Sequence, residues 1–343
     1  MSYDKKKPLI KMNANENYFV EEDWMRERVK EALDLIDIRR YPNIYEDETK
    51  KVIADLNGVK PENLVLGNGS DEVIDCTLKS FLKAGENVVI HSPTFNMYKF
   101  YAPLIGVNVK EASLKTDFNL DVPALLKAVD QKTRIVIVCS PNNPTGNQFP
   151  LEDVKEVIEK SKTTVIVDEA YADLARYTVT KLIEKYPNLI VFKTFSKSFG
   201  LAGIRVGYGI SNPDNIEKIK KAIPPFNVNS VALAAVRVVA KHRDYIEKKV
   251  GEIKAERENF YKTLSRIKGL KPYPTETNFF LINVSPGYSA EEIFKKLEAR
   301  NILIRYWGHE PLLRNCVRIS MGNKEMNATL VSALEEIMEE KRK

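Results

Sequence analysis

The chain has 343 residues, of which 43% are hydrophobic and 29% charged, with a formal net charge of +6. This is the make-up of a soluble globular protein, and the length exceeds the size at which one core usually keeps growing, so two domains are expected. The positive charge is dispersed, the runs Lys5-Lys6-Lys7 and Lys341-Arg342-Lys343 are terminal, and no basic stripe with interleaved aromatics points to nucleic acid.

Three cysteines, Cys76, Cys139 and Cys316, are odd in number and far apart, which argues for reduced, buried thiols and a cytoplasmic address. His91, His242 and His309 share no ligand spacing, so no metal is expected. No charged-then-apolar leader and no run of about 18 apolar residues occurs, so neither secretion nor a membrane span is expected.

Residues 1–20 are polar and irregular. Met25, Val29, Leu33 and Ile36 recur at helical spacing and predict a helix from Asp23 to Asp37, ended by Arg39-Arg40-Tyr41-Pro42. From about residue 46 to 235, short apolar runs alternate with helical stretches. Strands are predicted at Leu64–Leu66, Asn87–His91, Val107–Glu111, Arg134–Cys139, Thr164–Val167, Leu189–Phe192 and Val206–Ile210. Several lack polar alternation, as strands buried on both faces do, so the sheet should be mostly parallel with helices on each side. Asp71–Leu82, Leu151–Lys160 and Asn215–Ala222 are the intervening helix candidates.

The charged stretch from about Asn229 to Arg266 is helical and should join this large domain to a smaller one. There Asn278–Val284, Ile302–Arg305 and Cys316–Ser320 read as strands, and Ala290–Arg300 and Lys324–Glu340 as helices. The expected division is residues 46–235 for the large domain, and 1–45 with 236–343 for a smaller α+β domain.

In an open parallel sheet, ligands bind beyond the carboxyl ends of the strands. Four strands deliver polar groups to that edge: Gly67–Asp71, Asn143, Asp168 and Lys197. Lys197 lies in Lys193-Thr194-Phe195-Ser196-Lys197-Ser198, with Arg205 eight residues on. Asn143 lies in Pro141-Asn142-Asn143-Pro144-Thr145-Gly146, and Asp168 opens Asp168-Glu169-Ala170-Tyr171.

Together these describe a pocket for pyridoxal phosphate (PLP). Lys197 is the amine that condenses with the cofactor's aldehyde and then shuttles protons, and proximity to Arg205 should favour its neutral form. Asp168 is the carboxylate that holds a proton on the ring nitrogen. Backbone N–H groups of Ser70 and Asp71 at a helix start can receive the phosphate, with Thr194, Ser196 and Arg205 completing the clamp. Phe95 can stack on the ring, and Asn143 and Tyr171 can bond its phenolic oxygen. The Gly-x-Gly at Gly67 to Gly69 is followed by Glu72 where a dinucleotide fingerprint needs Gly or Ala.

With these motifs the chain resembles the fold-type I PLP-dependent aminotransferases, and among them the histidinol-phosphate aminotransferase family. The similarity runs from Asn13-Ala14-Asn15-Glu16-Asn17 and Arg40-Tyr41-Pro42 through the central motifs to Cys316-Val317-Arg318-Ile319-Ser320. The resemblance implies an α/β fold and transamination of L-histidinol phosphate with 2-oxoglutarate, yielding glutamate. It implies a homodimer in which Tyr41 reaches the partner's PLP phosphate. It implies that Arg318 binds the α-carboxylate, that Arg305 holds the substrate phosphate, and that Asn15 and Tyr3 lie near the substrate. Phe95 stands where many relatives carry tyrosine, so stacking survives and the hydroxyl is lost. Two other enzymes share the cofactor residues: an aromatic amino-acid aminotransferase and a lyase resembling threonine-phosphate decarboxylase. A regulator built on the same fold is disfavoured, because such proteins carry an added DNA-binding domain.

Overall fold

The nearly continuous apolar runs form strands shielded on both faces, as in Asn87–Ser92, Thr133–Cys139 and Leu189–Thr194. The structure, a computed structural model, describes residues 9–285 and 287–340, so Tyr3 and the two terminal lysine-rich runs lie outside the described residues. The chain begins with β1 (Ile10–Lys11), α1 (Glu22–Leu33), α2 (Asn43–Asn57), β2 (Leu64–Asn68) and α3 (Ser70–Phe81). It continues with β3 (Asn87–Ser92), α4 (Met97–Leu104), β4 (Asn108–Ser113), α5 (Val122–Ala128), β5 (Thr133–Cys139) and α6 (Leu151–Lys160). Next come β6 (Thr164–Asp168), β7 (Leu189–Thr194), β8 (Val206–Ile210), α7 (Pro213–Lys220), α8 (Ser230–Ala240) and α9 (Arg243–Arg266). Last are β9 (Leu270–Pro272), β10 (Phe279–Val284), α10 (Ala290–Ala299), β11 (Ile302–Leu303), β12 (Arg305–Tyr306), β13 (Cys316–Ser320) and α11 (Lys324–Glu340).

Among the described residues the large sheet has seven strands in the order β2-β8-β7-β6-β5-β3-β4. All are mutually parallel except β8, which runs against both β2 and β7. The carboxyl ends of β2, β5, β6 and β7 therefore share an edge with the beginning of β8. Alternate residues of each strand enter opposite cores. Val136, Val165 and Val191 face one core with α2, α5, α6 and α8, while Ile137, Ile166 and Ile190 face the other with α3, α4 and α7.

The second sheet, β12-β13-β10-β9, is antiparallel and is backed by apolar faces of α9, α10 and α11. The N-terminal segment touches both halves: β1 pairs with β11, while Ala32 of α1 packs on Ala234, Ala235 and Val238 of α8. Among the described residues no helix is long and apolar enough to cross a membrane.

Three elements differ from the sequence expectation. The first helix ends at Leu33, not Asp37, and Ile36 lies in the following turn, packed on the small α1–α8 cluster. Asn43–Asn57, to which periodicity assigns no element, is a helix whose thin buried stripe is Thr49, Ile53 and Ala54. Its signals were at the ends: Pro42 before it, and Gly58 in the left-handed conformation after it. The run Ile302–Arg305 is not one strand. Ile302 and Leu303 pair with β1, and from Arg305 the chain joins the other sheet beside β13.

Candidate active site

The shared strand edge opens into a cavity of about 530 Å³. All the residues assigned above to cofactor or substrate line it, apart from Tyr41 and the undescribed Tyr3. Lys197 sits three residues beyond β7, and its Nζ donates to the carbonyls of Ala14 and Asn15 at 3.3 Å each. Its pKa is lowered to about 8, first by burial and then by the Arg318 cation. Arg205, expected to favour the neutral amine, acts in that direction but is the weakest of the named influences.

Asp168 is the last residue of β6 and is 2% exposed. Tyr98 Oη donates to its Oδ2 at 2.6 Å, and the Ala170 N–H donates to Oδ1 at 3.1 Å. Burial raises its pKa, while these two donors oppose the rise by stabilising the anion. Tyr98 escapes sequence reasoning because a tyrosine near the start of a helix reads as core. The signal for it was position: it lies on α4, directly after the loop that carries Phe95. Phe95 lines the cavity and meets Tyr98 edge-on, centroids 5.7 Å apart.

An anion cradle lies between β2, α3 and β8. Ser70 opens α3 after Gly69, whose φ of 80° suits glycine. A Cβ on Gly69 would sit 2.4 Å from Arg205 Nη2, and one on Gly207 would sit 2.1 Å from the Ser70 nitrogen. Missing side chains thus make room for the guanidinium and for bare backbone N–H groups. Arg205 reaches the cradle because β8 runs backwards, which puts its beginning at the edge where the other strands end. Its Nη2 lies 3.1 Å from Asp71 Oδ2, and Thr194 Oγ1 donates to Ser196 Oγ at 3.0 Å beside it.

The opposite wall comes from the second sheet and the N-terminal segment. Arg318 is 6% exposed; its Nη1 donates to Asn143 Oδ1 and its Nη2 to the Asn13 carbonyl, both at 2.6 Å. It forms no ion pair with a described residue, and burial lowers its pKa to about 10. Arg305 stands directly opposite Arg318 in the β12–β13 register and lines the same cavity. Like charges directly opposite one another destabilise a sheet, so this pairing favours an anion between them. Asn15, with Tyr171 and Ser320, closes the wall through buried hydrogen bonds. Nothing in the sequence marked the contribution of Asn13, because it acts through a backbone carbonyl.

Tyr41 stays outside, 71% exposed and stacked on Phe226 with centroids 4.5 Å apart. A larger cleft, about 1160 Å³, lies between α1 and α9 but gathers no comparable chemistry; its charged groups, such as Lys249 with Glu21, pair with each other.

The family described as aminotransferase class I and II matches residues 7–334. The histidinol-phosphate aminotransferase of Thermococcus gammatolerans is 37% identical over 96% of this chain and 92% of its own length. The crystal structure of histidinol-phosphate aminotransferase from Sinorhizobium meliloti in complex with pyridoxal-5′-phosphate superposes with a TM-score of 0.88 at 26% identity, covering 98% of this chain and 92% of that one. The corresponding enzyme from Clostridium acetobutylicum gives a TM-score of 0.88 at 27% identity, with coverage of 97% and 100%.

Proposed function

The chain belongs to the aminotransferase class I and II family, and from that premise we propose that it is a PLP-dependent aminotransferase moving an amino group between L-histidinol phosphate and 2-oxoglutarate. The observation that carries the substrate assignment is the pair of arginines, Arg305 and Arg318, partners in the β12–β13 register and both lining one cavity. One substrate of this reaction offers a carboxylate and the other a phosphate. The names of the relatives support the same reaction over an aromatic aminotransferase or a decarboxylase.

The residues present fit PLP. The glycine-lined cradle with Arg205, Thr194 and Ser196 suits its phosphate. Buried Asp168 suits a protonated ring nitrogen, and Phe95 suits a ring face. When bound, this cofactor supplies an aldehyde that accepts the amino group and an electron-poor ring that stores an electron pair.

The protein's own groups do the rest. Lys197 Nζ, whose pKa is lowered to about 8, would take a proton from the substrate carbon and return it to the former aldehyde carbon of the cofactor, on the far side of the shared nitrogen. Asp168, whose anion accepts from Tyr98 and the Ala170 N–H, would hold a proton on the ring nitrogen. Arg318 orients the α-carboxylate of glutamate, and Arg305 reaches the phosphate of histidinol phosphate. Residues 46–235 hold the cofactor, and the flanking segments close over the substrate.

The assembly proposed is a homodimer. Ile38, Tyr41, Ile44 and Phe226 are exposed apolar residues, a surface suited to a second copy whose phosphate Tyr41 reaches. The free, buried cysteines suit a reducing cytoplasm. The reaction is tested by incubating the protein with amino-¹⁵N-labelled L-histidinol phosphate and 2-oxoglutarate. Label in glutamate without carbon dioxide release is expected. Carbon dioxide release, or no labelled glutamate, contradicts the assignment.

A further inference from the structure

Asn15 stands at the junction of the two walls, 2% exposed, with a φ of 54°. That left-handed conformation is one asparagine and aspartate tolerate better than other side chains. Both ends of its amide are engaged. Ser320 Oγ accepts the Asn15 backbone N–H at 2.8 Å and gives its single proton to Asn15 Oδ1 at 2.9 Å. This orients the amide, leaving Nδ2 to donate to Tyr171 Oη at 2.8 Å. A phenol oxygen that accepts from an amide keeps its own proton for another acceptor. Among the described residues no acceptor takes that proton. Tyr171 is 4% exposed and lines the cavity, with Lys197 Nζ 5.5 Å from its ring centroid.

We infer that Asn15 is a positioning residue: anchored by Ser320, it fixes the direction of the Tyr171 hydroxyl so that the phenol donates its proton into the cavity. The inference rests on the PLP reading above, in which the acceptor is the cofactor's phenolic oxygen. The two walls are thereby coupled. Ser320 lies two residues from Arg318 on β13, so the strand that orients substrate also orients the donor that tunes the cofactor. Burial holds the Tyr171 proton tightly, pushing its pKa up to about 12, so the phenol remains a donor throughout the working range. The other groups bearing on this phenol are Arg318, Asp168 and Cys139, and those bearing on Lys197 are Arg318, Glu16, Asp71 and Arg205.

Removing a donor from an oxygen anion makes that oxygen more basic. The proton shared between the cofactor oxygen and the lysine nitrogen is then held more tightly. Tyr171→Phe should therefore raise the pH midpoint of the loaded enzyme's visible band. Asn15→Asp keeps the backbone conformation but offers Tyr171 an acceptor, drawing the phenol proton away from the cavity. It should raise the same midpoint by about one pH unit, the size of one hydrogen bond.

The test is a double-mutant cycle read by absorbance titration, with Asn15→Gly as a second variant suited to the same backbone angle. Asn15→Asp should shift the midpoint in the wild-type background and shift it little further in the Tyr171→Phe background. An equal shift in both backgrounds is a plain charge effect and overturns the inference, as does no shift at all. Absence of any visible band from the wild-type protein loaded with PLP overturns the cofactor reading and the inference with it.

Discussion

Asp168 and Lys197 reach the cavity from the ends of neighbouring strands, each within three residues of the strand that carries it. Arg305 and Arg318 reach it from the paired strands β12 and β13, and Asn15 from the other end of the chain; Asn15 and Ser320, which bond each other, are 305 positions apart. The large-sheet wall is thus local in origin, one strand and one loop for each group. The other wall exists only through pairing: β1 on β11, β12 on β13, and the Asn13 carbonyl on Arg318. The groups proposed to hold the cofactor stand on the local wall, and the groups proposed to choose the substrate stand on the wall that tertiary pairing must assemble.

The largest effect should come from the local wall. Lys197→Ala removes the group proposed to move the proton, and turnover should fall by roughly a thousandfold or more with every substrate. A variant retaining a tenth of wild-type turnover would break the assignment of this wall to chemistry. Next, Arg318→Ala should lower kcat/KM for glutamate by about a hundredfold, since the buried cation proposed to bind the substrate carboxylate is lost. Steady-state kinetics with saturating PLP would show it, and a loss confined to cofactor affinity would contradict it. Arg305→Ala should cost about tenfold in kcat/KM with histidinol phosphate and little with glutamate. Equal losses with both substrates would merge the two roles that the comparison separates.

The smallest effect crosses from one wall to the other. In the cofactor-free protein, reaction of Lys197 with an amine reagent should follow a pH midpoint near 8, below that of surface lysines. The sign follows from the causes: burial and the Arg318 cation both penalise the ammonium, so the neutral amine appears at lower pH. Arg318→Met removes one of them and should raise the midpoint. An unchanged midpoint would mean the walls are electrostatically independent.

The local wall was legible in the sequence because the strand runs carried no polar alternation and each ended in a polar motif. Asp168 and Lys197 could be placed at one edge from that alone. The antiparallel course of β8 was not legible, since Val206–Ile210 reads as a buried strand in either direction, yet it is what delivers Arg205 to the cradle. The paired wall was legible only by residue type. Arg318 flanked by Val317 and Ile319 reads as a buried cation, but its neutral partners, Asn143 and the Asn13 carbonyl, depend on contacts no spacing prints. Arg305 was read at the end of one strand, and the switch of sheets at Ile304 that sets it opposite Arg318 arises from long-range register. Tyr41 does not line its own chain's cavity, so its proposed role rests on a second copy.

The most direct test of the account is the half-reaction spectrum. PLP-loaded protein would be mixed, without keto acid, with L-histidinol phosphate, L-glutamate or L-phenylalanine in turn. The account expects rapid loss of the visible cofactor band with histidinol phosphate and with glutamate, and slow loss with phenylalanine. A band that fades fastest with phenylalanine, or persists with histidinol phosphate, would contradict it.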